Sequence, residues 1–121
     1  KKKKKMANTF KVKKNAAMPA SAGTPLTLYT CPGSTTSVVL GLILCNVGTA
    51  QHTVDVQLVS DTSDTETNET VKLLENVPIP AGSSLEVLSG GKVVIQATDV
   101  IKIDADTASK IDATLSIMEI T

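Results

Sequence analysis

The sequence predicts an all-β fold, an antiparallel β-sandwich of about eight strands with jelly-roll or immunoglobulin-like Greek-key topology. Three observations predict it. Residues 71–103, VKLLENVPIPAGSSLEVLSGGKVVIQATDVIKI, hold four short apolar-alternating runs parted by Pro-Ala-Gly, Gly-Gly and Ala-Thr-Asp, which reads as a β-meander with no room for a helix. Only Phe10 and Tyr29 are aromatic and Trp is absent, so the core must be built from Val, Ile, Leu and Ala, whose β-branched members favour pleated surfaces. Finally, 121 residues at 41% hydrophobic content make one domain with a sizeable core.

The elements follow in order. Residues 1–24 read as an N-terminal arm, extended and basic, and residues 25–121 as the sandwich domain. Lys1–Lys5 precede Met6-Ala-Asn-Thr and are expected to be an added leader, to be set aside in fold reasoning. The first strand is expected over about 26–31, ended by the Cys-Pro-Gly-Ser turn at 31–34. The second, about 36–47, is apolar on both faces, which places it at the centre of a sandwich or at a subunit contact; Gly41 in its middle suggests a bulge or the close approach of another backbone.

Asn46-Val-Gly-Thr-Ala50 then reads as a hairpin into a third strand, about 52–60, where Val54, Val56 and Leu58 alternate with Asp55 and Gln57. The polar stretch at 61–70, DTSDTETNET, must be a surface loop. A fourth strand is expected over 70–76. The fifth and sixth, 84–88 and 92–97, read as a tight hairpin through Ser89-Gly90-Gly91. A seventh strand, 100–104, leads into a loop long enough to cross between sheets, and the last, 111–120, is expected to be paired rather than a free tail.

Formal neutrality conceals an asymmetry. Without Lys1–Lys5 the charge is −5, seven Lys against twelve acids. Three of those seven, Lys11, Lys13 and Lys14, lie in the arm, leaving an acidic body with four Lys. Such an arm either stays solvated or docks on an acidic neighbouring subunit, because opposite potentials steer association. Lys11, Lys13 and Lys14, with Val39, Gly41 and Ile43 of the two-sided strand, are therefore the candidate subunit-contact residues. An acidic body argues against nucleic acid as the partner, and no apolar run reaches the 18 or so residues of a membrane span.

Motifs for chemistry are sparse. Asp61, Asp64, Glu66 and Glu69 offer oxygen ligands for a cation, but the loop lacks the glycine and closing glutamate of a helix-loop-helix calcium site, so a solvated acidic loop is expected. His52 is the single histidine and completes neither a triad nor a closed metal site. Cys31 and Cys45 are the two thiols; their pairing is open, and without a secretion signal the reduced state is the default. Asp104 and Asp106 share a strand-end face with nothing nearby to mark a general acid. No catalytic residue, cofactor or enzymatic activity is expected.

Four segments carry a resemblance: the Cys-Pro-Gly-Ser-Thr-Thr turn at 31–36, VVLGLILCNVGTAQHTVDVQL at 38–58, VPIPAGSSLEVLSGGKVVIQATDVIKI at 77–103 and ASKIDATLSIMEIT at 108–121. Together they resemble small virion structural proteins of tailed bacteriophages, especially those of marine cyanobacteria, over roughly residues 7–121. The resemblance implies a non-enzymatic virion component assembled in the bacterial cytoplasm: a capsid decoration or cement protein that binds the major capsid protein. It also implies a homo-oligomer, a trimer or another cyclic ring. A tail, neck or fibre-associated component, or a carbohydrate- or receptor-binding host-attachment module, is the alternative. Few aromatic side chains are available for the last of these.

Overall fold

A computed structural model describes residues 8–18, 23–61, 68–88 and 91–121. Among the described residues run nine strands: β1 (Asn8–Met18), β2 (Leu26–Thr30), β3 (Thr36–Asn46), β4 (His52–Val59), β5 (Thr70–Ile79), β6 (Ser84–Glu86), β7 (Val93–Ile95), β8 (Val100–Ala105) and β9 (Ile111–Ile120). They form two antiparallel sheets. Sheet A has the order β1-β9-β3-β6, with β7 also on β3, and sheet B the order β2-β8-β4-β5.

This order has a simple origin. The chain behaves as one long ribbon folded back at the β4–β5 hairpin, so that β4 meets β5, β3 meets β6 and β7, β2 meets β8, and β1 meets β9. Rolling the ribbon adds the contacts β3 to β9 and β4 to β8 and sends its segments alternately into the two sheets. Of the two topologies the sequence leaves open, this is the jelly roll. The eight strands expected become nine because the predicted arm contains β1, paired with β9 from Asn8↔Ile120 to Met18↔Ile111.

Three local readings change for the same reason. Asn46–Ala50 does not make a hairpin, since β3 lies in sheet A and β4 in sheet B; the turn crosses between sheets. Residues 71–103 are not a meander: β5 and β8 lie in sheet B, and β6 and β7 in sheet A. Nor do β6 and β7 pair with each other. Both pair with β3, at Ile43–Cys45 and Ser37–Val39 respectively, as two pieces of one interrupted edge strand. Running along β3 uses that strand's open backbone groups and buries Ile95 completely, which an isolated two-stranded ribbon would not do.

The core lies between the sheets. β9 buries Ile111, Ala113, Leu115, Ile117 and Glu119 at every second position, while Thr114 and Ser116 stay exposed. β3 has a bulge between Val39 and Gly41, and there its alternation changes phase. Ser37 and Val39 point inward before it; Leu42, Leu44 and Asn46 point inward after it. From sheet B, Val54, Val56, Ile101 and Ile103 close the layer.

Asn46 locks one end of the sandwich. It is fully buried, and its side-chain nitrogen donates to the carbonyls of Ala50 and Ile79, each at 2.8 Å, while its Oδ1 accepts from Gly48 N at 2.8 Å. The Ile79 bond joins sheet A to sheet B. We expect Asn46→Ala to lower stability by about 2 kcal/mol or more in urea unfolding, because it leaves buried carbonyls without donors. Leu115→Ala, with no polar group to orphan, should cost about 2–5 kcal/mol through cavity formation alone.

Candidate functional site

Two features stand out once the fold is drawn: a polar cluster inside the sandwich beside β1, and the outer face of sheet A.

The inner cluster starts from a charged residue in a core position. Glu119 occupies the inward phase of β9 and is 6% exposed. A carboxylate there must be paired. Tyr29 Oη of β2 donates to Glu119 Oε2 at 2.6 Å, and Lys11 Nζ of β1 reaches Glu119 Oε1 at 2.9 Å. With its proton given to Glu119, the Tyr29 oxygen accepts from Ser37 Oγ of β3 at 2.7 Å. Cys31 Sγ lies 3.3 Å from both Ser37 Oγ and the Thr35 carbonyl. One network thus touches β1, β2, β3 and β9.

Its electrostatics are those of a closed structural joint. The Tyr29 hydrogen bond, then Lys11, hold the Glu119 carboxyl below the usual carboxylate range despite its burial. Burial first, and the bond to Glu119 second, push the Tyr29 phenol above its ordinary value. Ser37 is 0% and Cys31 1% exposed, so neither hydroxyl nor thiol can meet a substrate. His52 is elsewhere, with Nδ1 3.1 Å from Asp106 Oδ1.

Other candidate residues fall apart spatially. Asp61 contributes its backbone N–H to Asp99 Oδ1 at 2.8 Å, and Glu69 closes the loop base against Ser60, Glu69 N to Ser60 Oγ at 2.9 Å. Asp64 and Glu66 lie outside the described residues. Asp55, Asp104 and Asp106 line a 340 Å³ cleft with Gly23, Thr53, Asn76 and Ala105. Each carboxylate has a partner: Asp55 takes Lys72 Nζ and Asn76 N, Asp104 takes Gly23 N, and Asp106 takes His52. Among the described residues no three His, Cys, Asp or Glu side chains come together to hold a metal. Cys31 and Cys45 are free thiols.

The candidate subunit-contact residues divide between the two faces of sheet A. Val39 faces the core and is 3% exposed, because the bulge begins only after it; it is not available for a contact. Gly41 and Ile43 lie beyond the bulge, where odd positions point outward. A Cβ built on Gly41 meets nothing within 4 Å, so its bareness answers no packing need inside the chain. Lys11 is held by this chain's own Glu119, and Lys13 shares its inner face at the open edge. Lys14 sits on the outer face, opposite Thr114.

The outer faces of the two sheets differ in kind. That of sheet B carries a polar row, Thr27, Lys102, Gln57 and Lys72, across all four strands. That of sheet A carries a row of apolar residues across its full width: Phe10 on β1, Met118 on β9, Val38 on β3 and Val94 on β7, each directly opposite the next. Phe10 is 71% and Val94 61% exposed, and Val12 and Ile43 add to the patch. Antiparallel sheets with a solvated face normally show polar side chains there.

No family model and no curated protein matches the sequence. Solved structures do match the fold. A subunit of the Bacillus endospore appendages, which form disulfide-linked pili, is 18% identical with a TM-score of 0.51, over 99% of this chain and 91% of that one. A chain of the infectious bursal disease virus T13 particle is 12% identical with a TM-score of 0.59, over 93% of this chain and 31% of that one. The VP2 subviral particle of the same virus gives 11% and 0.53, over 95% and 32%. This chain thus spans about a third of the viral chains. At such identities the likeness is one of fold.

The inner cluster makes stability depend on pH. Because Glu119 has a lowered pKa in the folded state, its contribution is present above the unfolded carboxylate value and is lost as pH falls through the folded value. Glu119→Gln should therefore be less stable than the wild type in urea at pH 7, with the gap narrowing steadily in acid below about pH 4.3. Tyr29→Phe should cost about 1–3 kcal/mol at neutral pH by removing the donor to Glu119 Oε2 and the acceptor of Ser37 Oγ inside the core.

Proposed function

We propose that this protein is a non-enzymatic structural subunit of a virion, bound on the outside of the shell as a decoration or cement protein. The observation that carries this reading is the apolar row on the outer face of sheet A, with Phe10 and Val94 exposed at its ends and Met118 and Val38 half-buried between them. A contiguous apolar patch on a sheet's outer face marks a surface that another protein covers. The reading is further supported by the inner cluster, whose hydroxyls and thiol are buried as a structural joint, and by the resemblance of segments 31–36, 38–58, 77–103 and 108–121 to phage virion proteins. The jelly roll itself is shared by shell and appendage subunits and does not choose between them.

A tail or fibre location is the second reading. What favours it is the near-complete coverage of the pilus subunit, which is built from one such domain, against the partial coverage of the viral chains.

The two are separated by adding purified protein to assembled tailed-phage particles that lack it and pelleting them. A shell protein should bind the finished heads at a fixed ratio and raise their resistance to heat, and Phe10→Ser, which disturbs the assembly face, should reduce that occupancy. Failure of the wild type to bind finished particles, combined with incorporation only during assembly, would overturn the shell location in favour of the tail.

A further inference from the structure

We infer that the occupant of the outer face of sheet A is a second copy of this chain, packed face to face across a two-fold axis that runs along the strands between β9 and β3. The inference rests on the reading of that face as an assembly surface and specifies its partner.

The argument is one of self-complementarity. A two-fold rotation about an axis along the strands exchanges the two sides of the sheet, turns the second copy to face the first, and leaves the position along each strand unchanged. β1 of one copy then lies over β6 and β7 of the other, and β9 over β3. The register makes two rows meet. In one, Phe10↔Met118↔Val38↔Val94, the rotation sets Phe10 on Val94 of the second copy and Met118 on Val38 of the second copy. The bulkiest exposed side chain at one edge thus meets the exposed valine of the other edge.

The second row supplies the charge. Lys14↔Thr114↔Ile43↔Glu86 runs from a cation on β1 to an anion on β6. Both end residues are exposed, and neither forms an ion pair within the chain among the described residues. The same rotation sets Lys14 against Glu86 of the second copy, and Glu86 against Lys14 of the second copy, so each contact is made twice. Aligned packing of two sheets about 10 Å apart is the ordinary geometry of a sandwich, here formed between molecules. The opposite alternative, two copies joined edge to edge through β1, would bring Lys11, Lys13 and Lys14 against their own likes, which is unfavourable.

Sedimentation velocity over a concentration series tests this with wild type, Lys14→Glu, Glu86→Lys and the double variant. Both substituted positions are exposed, and melting temperatures check that the fold is kept. We expect a wild-type dimer, each single variant weaker by roughly tenfold or more because like charges meet twice, and recovery in the double variant. A wild type that is monomeric throughout, or a double variant as weak as the singles, would overturn the inference. A monomer that still binds particles would overturn the dimer alone, whereas a dimer that binds no finished particle would leave this inference standing and count against the shell location.

Discussion

One aliphatic layer, shared by two sheets and built almost without aromatic side chains, is the constraint from which the rest of this structure follows. Val, Ile and Leu fill it from every strand that crosses the centre, and the period of two then fixes what each strand presents outward. β9 shows this most plainly: burying Leu115 and Ile117 exposes Ser116 and turns Met118 away from the core. Sheet B turns polar residues out and ends its role there. Sheet A turns out an apolar row, and an apolar row that the core does not use is the mark of a surface made for another surface.

Strand positions were legible in the sequence because alternation is local; strand neighbours were not, because pairing is long-range. The Asn46–Ala50 turn carries the same residues whether the chain turns back beside itself or steps to the opposite sheet. Only the demand to cover β3 on its second side decides where β6 and β7 go. Gly41 signalled the bulge correctly, yet the phase change it causes hid the inward direction of Val39. β1 was read as an arm because lysines dominate it and Phe10 and Val12 are too few to mark a strand.

The inner cluster escaped sequence reading, since its members are far apart along the chain: Tyr29 is 8 residues from Ser37 and 90 from Glu119. A usable signal did exist. Glu119 falls in phase with Ile117 and Leu115, and an acid in a core phase demands a partner. That demand also disciplines β1. A slip of one residue along β9 would turn Lys11 to the opposite face and leave a buried carboxylate without its cation. The same contact thus sets the register that aligns Phe10 with Met118 and Val38.

The two thiols give the molecule a pair of internal clocks. Cys31 is sealed beneath the joint of four strands, so a thiol reagent can reach it only when the two sheets part, and its rate of modification counts those openings. Cys45 stands half-buried on sheet A's outer face, and in the proposed dimer its rate would count how often that face is uncovered. Breathing of the sandwich and covering of its surface are therefore written into separate atoms of the same chain.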